Sequence, residues 1–384
     1  MTDNTFPINR FAELPTPFYA YSIGLLSQTL QAVSNAAGAD AHIHYAVKAN
    51  ANPVILQEIA RAGFGADCVS GGEIEAALAA GFEAKKIVYA GVGKTDAEIL
   101  LGIDAGIGCF NVESAEELEI IAALAAEKNK IVRVALRVNP NVDAHTHKHI
   151  TTGLSENKFG INLEALLPIA ERAVALPSIE LSGLHFHIGS QMLDMSPYAE
   201  LCIKINELQD SLAKNGIFVS SINVGGGLGV DYDDPDKNPI ADFESYFATF
   251  RNGLKLRPGQ TLHFELGRSI VAQCGSLISR CIYVKHGTVK KFVILDAGMT
   301  ELIRPALYGA RHKIQNISAP EGSPIETYDV VGPVCESSDV FVAGGHLPLT
   351  QRGDFLAIRS AGAYGEVMAS NYNCRKLHPA YFIN

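Results

Sequence analysis

The chain has 384 residues, of which 47% are hydrophobic and 19% are charged, and its formal net charge at pH 7 is −10. This length and composition predict a compact globular protein with a large core and about two domains. The acidic balance, together with the lack of any Lys/Arg-rich arm, argues against a nucleic-acid-binding protein.

The N-terminal stretch, residues 1–22, contains neither an apolar signal-peptide core nor an Arg-rich amphipathic pattern, so we expect no targeting peptide. No window approaches 18 uninterrupted apolar residues, so we expect no membrane span and no membrane partner. The seven cysteines are dispersed without a CxxC pair, which indicates reduced thiols in a cytoplasm and neither a disulfide framework nor a zinc site.

Short β-branched runs alternate with Ala/Leu/Glu-rich helical runs through the first two thirds of the chain. The predicted strands cover 42–49, 64–70, 86–91, 108–113, 131–139, 179–189, 221–227 and 261–267. Eight strand–helix repeats in about 250 residues favour an α/β fold of the (β/α)8, TIM-like barrel type. A doubly wound sheet usually has fewer strands and a GxGxxG motif in its first turn, and this motif is missing here.

The helices between these strands have recognisable start signals. The predicted helices include a first barrel helix at about 23–37 and the runs 52–63, 71–81, 95–106 and 114–128. Thr95 and Ser114 are each followed three residues later by a glutamate, Glu98 or Glu117, which is a capping-box signature. We therefore expect helices to begin directly after Thr95 and Ser114.

Beyond Gly267 helical periodicity largely stops. The strand-like runs there are 269–287, 290–298, 324–332 and 354–364. We therefore predict a second, mainly β domain, and we expect the strand-like N-terminal segment to pair with it. The predicted domains are an N-terminal strand segment at 1–22, a barrel at 23–269 and a C-terminal β domain at 270–384.

Polar and charged side chains stand at the C-terminal ends of the predicted strands, where barrels of this type build active sites. They are Lys48, Asp67, Ser70, Arg137, Asn139, His185, His187, Ser190, Glu265 and Arg268, and the glycines Gly225 to Gly227 and Gly267 stand at the same strand ends. Taken singly, Lys48 is explained by a snorkelling side chain, the glycines by a tight turn, and Arg268 by an ion pair with Glu265. Together, an amine, a phosphate cradle and a carboxylate for a ring nitrogen favour a pyridoxal-phosphate enzyme.

Nine motifs carry a resemblance to a known family. They are HYAVKANANP, GADCVSGGEIEAALAAG, RVNPNVDAHTHKHITTGLSENKFGI, GLHFHIGSQ, NVGGGLG, ELGRSIVA, IRPALYGA, VGPVCESSDV and SAGAYG. Over roughly residues 15 to 375 the chain resembles the diaminopimelate decarboxylase family, in the alanine-racemase-like fold type III class of pyridoxal-phosphate enzymes. Leu266 stands where that family commonly has proline, which removes a rigid φ restraint but keeps Glu265, Gly267 and Arg268.

The resemblance implies decarboxylation of meso-2,6-diaminopimelate to L-lysine and CO2, the last step of lysine biosynthesis, with pyridoxal 5'-phosphate as cofactor. It implies that Lys48 forms the Schiff base, that Glu265 faces the pyridine nitrogen and that His187 lies against the ring. The other implied cofactor-binding residues are Asp67, Arg137, Ser190, Gly226, Gly227, Gly267, Arg268 and Tyr364.

The resemblance also assigns residues to substrate binding and proton transfer. Arg304 and Tyr308 would bind the distal carboxylate and Glu336 the distal ammonium, while Cys335 would give a proton to the carbanion. Arg268, Asp339 and Tyr364 are further implied substrate contacts. In the family the loop with Cys335 enters the partner subunit's active site, so a homodimer with shared active sites is implied.

Several alternatives stay open on the sequence alone. His145, His147 and His149 alternate and could face one way, but no Cys or carboxylate completes a metal site, so we predict no metal. Another fold type III decarboxylase, acting on carboxynorspermidine, ornithine or arginine, would share the cofactor site and differ in the distal clamp. A racemase would need a second base facing the lysine across the ring and would lack the loop with Cys335, and a non-catalytic pyridoxal-phosphate carrier would lack the β domain altogether.

Overall fold

The computed structural model describes residues 6–143 and 158–383, which form two compact units. The barrel unit consists of Leu30–Gly229 and Asp242–Gly267, and the β unit consists of the remaining described residues. Segment 230–241 therefore belongs to the β unit, whereas the predicted boundaries place it in the barrel. The predicted histidine cluster at 145–149 lies outside the described residues.

The first elements of the described residues are a short helix and a strand of the β unit. These elements are α1 (Ile8–Phe11) and β1 (Phe18–Ser22), and they are followed by α2 (Ile23–Ala37). Phe11 and Phe18 pack edge to face with ring centroids 5.2 Å apart, in a cluster that also buries Ile278 and Phe355. The N-terminal segment is thus anchored by the core of the β unit.

The barrel unit contains a closed barrel of eight parallel strands, which confirms the predicted fold class. The strands are β2 (Ala41–Ala46), β3 (Gly65–Cys68), β4 (Ile87–Tyr89), β5 (Cys109–Val112), β6 (Val132–Arg137), β7 (Ile179–His185), β8 (Ser221–Asn223) and β9 (Thr261–Leu266). β2 pairs with β9 and closes the barrel. Leu266, at the position of the usual proline, is fully buried and pairs with Tyr45, so it continues the ladder of β9.

Helices separate the barrel strands, as the repeat predicts. They are α3 (Pro53–Arg61), α4 (Gly71–Ala80), α5 (Asp96–Ala105), α6 (Ala115–Glu127), α7 (Leu163–Ala175), α8 (Ser196–Lys214) and α9 (Phe243–Gly253). Thr95 and Glu98 form a complete capping box. Ser114 makes only half of the predicted box, because the Glu117 carboxylate instead accepts from Glu113 N. Among the described helices, none has the length and apolar character that a membrane span requires.

The β unit is built on a mixed sheet. Its elements after the barrel are α10 (Arg268–Val271), β10 (Gly275–His286), β11 (Lys291–Leu295), α11 (Arg304–Tyr308), β12 (Ile314–Asn316), β13 (Ile325–Val331), β14 (Val340–Pro348), β15 (Phe355–Ile358) and β16 (Ala380–Ile383). The strand order is β12-β15-β10-β11-β13-β14, and β1 pairs with both β10 and β16. The strand-like run predicted from residue 269 begins only at Gly275, since a helical turn precedes it.

Strand alternation makes the interior of the barrel polar. Phe264 of β9 packs against Phe247 and Phe250 of α9, so the neighbouring residues His263 and Glu265 face the opposite, inner side. The outward residue of β9 thus packs in the apolar core, while its inward residues place polar side chains inside the barrel.

Two imidazoles inside the barrel form a chain of hydrogen bonds. His44 Nδ1 donates to Lys86 O at 3.0 Å, which leaves its Nε2 to accept from His263 Nδ1 at 2.9 Å. His263 Nε2 in turn lies 2.9 Å from the Thr261 hydroxyl. Burial lowers the pKa of His44 to about 4, and burial together with the facing His44 lowers the pKa of His263 further.

These neutral imidazoles predict acid sensitivity. As pH falls below about 6.5, the unfolded chain takes up protons that folded His44 and His263 do not. Each of these two histidines therefore lowers the free energy of unfolding by about 1.4 kcal/mol per pH unit. For His44 this loss continues down to a pH of about 4. His263→Asn keeps an N–H donor toward His44 but cannot be protonated, so its stability should fall less steeply with decreasing pH.

The measurement is the thermal midpoint of the parent, of His263→Asn and of His286→Asn, recorded between about pH 7 and pH 5. His286 is exposed at the end of β10, so its variant is a matched control that should follow the parent. Equal pH slopes for the parent and His263→Asn would contradict the assignment.

Candidate active site

Lys48 lies on a short 3-10 turn, Val47–Ala49, directly after β2. The Tyr45 hydroxyl donates to Asn50 O at 2.9 Å and fixes this turn. A Cβ on Gly267 would lie 3.0 Å from the Cβ of Ala46, so a side chain there would crowd the turn. The Lys48 side chain is 39% exposed and so accessible for reaction.

Lys94 is the opposite kind of lysine. Its side chain is only 1% exposed, and its ammonium donates to Gly91 O, Asn111 O and the Glu117 carboxylate at 2.9, 2.8 and 2.5 Å. All three N–H donors are therefore occupied. Lys94 is therefore structural, whereas the Lys48 side chain is accessible.

Asp67, on β3, is the acidic neighbour of Lys48. Its Oδ2 lies 3.5 Å from Lys48 Nζ. Burial and the nearby Glu265 raise the pKa of Asp67 to about 8, against the lowering effect of Lys48. Burial and Glu265 therefore favour the protonated form of this carboxyl, whereas the Lys48 ammonium favours its ionised form.

Glu265, on β9, is a buried carboxylate enclosed by polar side chains from three other strands. Asn111 of β5 and Asn223 of β8 donate to its Oε1 at 3.1 and 2.7 Å, and His185 Nε2 of β7 lies 2.9 Å from its Oε2. Burial raises the pKa of Glu265, but His185 and Lys48 outweigh burial, so the net pKa lies well below its ordinary value. Glu265 is thus held ionised, with a second acceptor position on Oε2 still available.

His187 follows β7 by two residues. Gly226 N donates to its Nδ1 at 3.3 Å, so the ring proton is on Nε2. Burial, followed by the nearby Lys48 and Arg137, lowers the pKa of His187 well below its ordinary value. Burial therefore favours the neutral form of this imidazole.

The glycine run after β8 is required by close backbone packing. Gly225 and Gly227 have φ values of +71° and +107°, in the left-handed region that favours glycine. A Cβ on Gly226 would lie 1.9 Å from Glu265 O. The run therefore brings the chain against the backbone of β9, and its predicted contact with phosphate stays a prediction. Ser190, likewise predicted to bind phosphate, lies in the loop after β7.

Arg137, at the end of β6, is part of a separate buried ion pair. Its Nη1 donates to Glu113 Oε1 at 2.6 Å, and its guanidinium lies 4.8 Å from the centre of the Phe159 ring. The other Glu113 oxygen accepts from Gly160 N at 2.9 Å. Arg137 is therefore oriented by Glu113, a partner that the sequence prediction does not include.

The β unit holds a second cluster of predicted site residues. Arg268 Nη1 and Arg304 Nη1 donate to the same oxygen, the Tyr232 hydroxyl, at 2.8 and 3.0 Å. The Arg268 guanidinium also lies 4.9 Å from the centre of the Tyr364 ring. Tyr308 ends α11, the helix that Arg304 begins. Two buried guanidinium groups around one phenol are typical of a site for an anion.

The loop that contains Cys335 is exposed at its start and anchored at its end. Cys335 is exposed, and Glu336 Oε1 accepts from the Tyr372 hydroxyl at 2.6 Å. Asp339 is buried, and its carboxylate accepts from Met299 N at 2.6 Å and Val334 N at 2.7 Å. Asp339 therefore shapes the loop, and its predicted contact with substrate stays a prediction.

Comparisons with known proteins decide the family. Residues 24–272 match the model of the pyridoxal-dependent decarboxylases, pyridoxal binding domain. The chain belongs to the pyridoxal-dependent decarboxylases. It is 59% identical to a diaminopimelate decarboxylase of Bacteroides thetaiotaomicron over 98% of this chain and 97% of the relative.

Solved structures agree. A crystal structure of a single-residue mutant of the Helicobacter pylori diaminopimelate decarboxylase, complexed with L-lysine, has a TM-score of 0.93 at 41% identity, covering 98% of this chain and 94% of that one. A Vibrio vulnificus lysine/ornithine decarboxylase has a TM-score of 0.85 at 24% identity, covering 98% and 97%. At 24% identity this second likeness shows the fold alone, so it does not identify a substrate.

The barrel site fits the cofactor that this family uses, pyridoxal phosphate. The aldehyde of the cofactor requires an accessible lysine. Its ring nitrogen requires an ionised carboxylate with a remaining acceptor position. In addition, Asp67 Oδ1 and His185 Nδ1 are buried and have no hydrogen-bond partner among the residues that the structure describes. The donor set is therefore suited to a polar aromatic ligand.

Sequence reasoning missed the residues that hold the predicted ones in place. They are Asn111, Glu113, Asn223, Tyr232 and His312, together with His185, which we noted at a strand end without giving it a role. On β5, Cys109, Asn111 and Glu113 alternate with apolar residues and so share the inner face. This alternation could have predicted that Asn111 and Glu113 face the site. Tyr232 and His312 lie in irregular segments, where no such period exists.

Proposed function

We propose that this chain decarboxylates meso-2,6-diaminopimelate to L-lysine and CO2, with pyridoxal phosphate. Its 59% identity to a diaminopimelate decarboxylase over nearly the whole chain supports this. The structural observation that carries the proposal is Arg304, a buried guanidinium with no carboxylate partner among the described residues. Such a group needs an anion, and diaminopimelate keeps a carboxylate at the end that does not react.

Lys48 would hold the cofactor through its ε-amine, and Glu265 would hold the proton on the ring nitrogen. His187 would cover one ring face as a neutral imidazole. Ser190, Gly226, Gly227, Gly267, Arg268 and Tyr364 would contact the phosphate, with Asp67 and Arg137 near the lysine and the ring. When bound, pyridoxal phosphate supplies an electron sink for the pair left behind by CO2.

The reaction consumes one proton for each CO2 released, because the broken C–C bond leaves its electron pair on carbon. We propose that Cys335 supplies this proton and that Glu336 binds the distal ammonium. The thiol is exposed in the single chain, so it can be reprotonated from water. We further propose a homodimer in which Cys335 serves the partner subunit's active site, and a cytoplasmic location consistent with seven free thiols.

A decarboxylase acting on ornithine, arginine or carboxynorspermidine is the second candidate. The structural likeness to the Vibrio vulnificus lysine/ornithine decarboxylase keeps it in view. Ornithine and arginine, however, place an amine or a guanidinium at the distal end, and a buried arginine would repel either group. Arg304 therefore favours a substrate with a distal carboxylate.

Arg304→Ala should lower kcat/KM for meso-diaminopimelate by about 30- to 1,000-fold. The reason is the loss of a charge-assisted pair worth ~2–4 kcal/mol, with the substrate carboxylate left unpaired. Cofactor content, measured from absorbance, should not change. Arg311→Ala removes an exposed arginine three residues beyond α11 and is the matched control, with kcat/KM near the parent's.

CO2 release is measured for meso-diaminopimelate, ornithine, arginine and carboxynorspermidine. We expect meso-diaminopimelate to be the preferred substrate of the parent. An unchanged kcat/KM in Arg304→Ala would place the distal carboxylate elsewhere, and faster release from ornithine or arginine would overturn the proposed substrate.

A complementation experiment tests the shared site. Lys48→Ala and Cys335→Ala should each be nearly inactive. If the subunits are mixed equally and exchange, about half of the dimers are mixed, and each mixed dimer has one site with both defects and one with neither. About a quarter of all sites are then intact, so activity should rise to ~25% of the parent's.

The control for the thiol is Cys374→Ala, which removes the other exposed cysteine and should stay active without mixing. Exchange is verified by mass spectrometry of differently tagged subunits. A mixture that stays inactive after verified exchange would place Cys335 beside Lys48 of its own chain.

A further inference from the structure

Arg304 is oriented by two neutral acceptors in the β unit. Its Nη1 donates to the Tyr232 hydroxyl and to His312 Nε2, both at 3.0 Å. His312 can accept there because its other nitrogen, Nδ1, donates to Arg359 O at 2.9 Å. Both N–H groups of Nη1 are therefore used.

The opposite edge of the same guanidinium is left for a ligand. Nε and Nη2 of Arg304 donate to no residue in the described ranges 6–143 and 158–383. These two nitrogens form the edge that pairs with a carboxylate through two parallel hydrogen bonds. The contacts to Tyr232 and His312 thus select which edge of Arg304 stays available.

Tyr232 also ties Arg304 to Arg268. Its hydroxyl oxygen accepts from both guanidinium groups, and its ring lies 5.1 Å from the Arg304 guanidinium carbon. The His312 ring meets it edge to face at 5.1 Å. Burial raises the pKa of Tyr232, but the two arginines outweigh burial and lower it overall.

We propose that Tyr232 is a positioning residue that, with His312, fixes Arg304 with its Nε and Nη2 edge available for the distal carboxylate of the substrate. This role rests on the proposed function, because it assigns that edge of Arg304 to the carboxylate of diaminopimelate and L-lysine. Tyr232 itself need not touch the substrate. Its loss removes the only oxygen that both arginines share in the described part of the β unit.

Tyr232→Phe keeps the ring and removes the shared oxygen. We expect KM for meso-diaminopimelate and the inhibition constant of L-lysine to rise about tenfold, with kcat within about threefold of the parent's. A substrate carboxylate bound in the ground state and in the transition state affects KM in this way. Inhibition by 1,5-diaminopentane, which has no carboxylate, should be the same in parent and variant.

Tyr328→Phe is the matched control, since it removes another buried phenol oxygen of the β unit, which accepts from Thr350 N. It should keep the parent's constants. His312→Asn provides a second variant, because its amide can still donate to Arg359 O but is too short to place an acceptor at the position of Nε2 beside Arg304. It should raise the L-lysine inhibition constant in the same direction as Tyr232→Phe.

The positioning role is overturned if Tyr232→Phe and His312→Asn bind L-lysine within twofold of the parent. It is also overturned if L-lysine and 1,5-diaminopentane lose affinity equally, since that would indicate a general disturbance. Either result leaves the proposed function standing if the parent still releases CO2 from meso-diaminopimelate. A parent that releases none fails the proposed function, whatever the variants do.

Discussion

The buried carboxylate of Glu265 is the constraint on which the barrel and its chemistry both depend. A charge in the interior costs several kcal/mol unless hydrogen bonds and opposite charge compensate it. Here the compensation comes from β5, β7 and β8, which donate to a carboxylate on β9. The same bonds therefore tie strands together and keep the carboxylate ionised, as the proposed protonated ring nitrogen of the cofactor would require.

The β unit contains the opposite feature, a buried positive charge. Arg304 is 6% exposed and is held by a phenol and an imidazole, neither of which neutralises it as a carboxylate would. A carboxylate partner within the protein would stabilise the resting chain but would compete with the substrate. Neutral acceptors orient the guanidinium without neutralising it, which leaves its charge for the substrate carboxylate that we propose.

Much of this organisation could be predicted from the sequence, and the exceptions have physical causes. The eight barrel strands were predictable because strand–helix alternation repeats eight times, and Lys48 and Glu265 because they stand at strand ends. The Ser114 capping box is incomplete because the Glu117 carboxylate accepts from Glu113 N and pairs with Lys94, a residue 23 positions away that the local pattern does not include. Short strands such as β12 were not predicted, because a run of three residues is too short to show the alternation of a strand.

The supporting residues were harder to predict than the reactive ones. Lys48 and Glu265 belong to motifs whose chemistry is explicit in their residue types. Asn111, Asn223 and Tyr232 act only through the group that they touch, and their partners lie 154, 42 and 36 residues away in sequence. Their roles are set by tertiary contacts, which only the folded chain displays.

The central claim is that Glu265 keeps the ring nitrogen of the bound cofactor protonated. The most direct test is the nitrogen-15 chemical shift of the ring nitrogen in holoenzyme loaded with labelled pyridoxal phosphate, followed from about pH 6 to pH 9. The account predicts a protonated nitrogen throughout this range in the parent and an unprotonated one in Glu265→Gln. An unprotonated ring nitrogen in the parent at about pH 7 would contradict it.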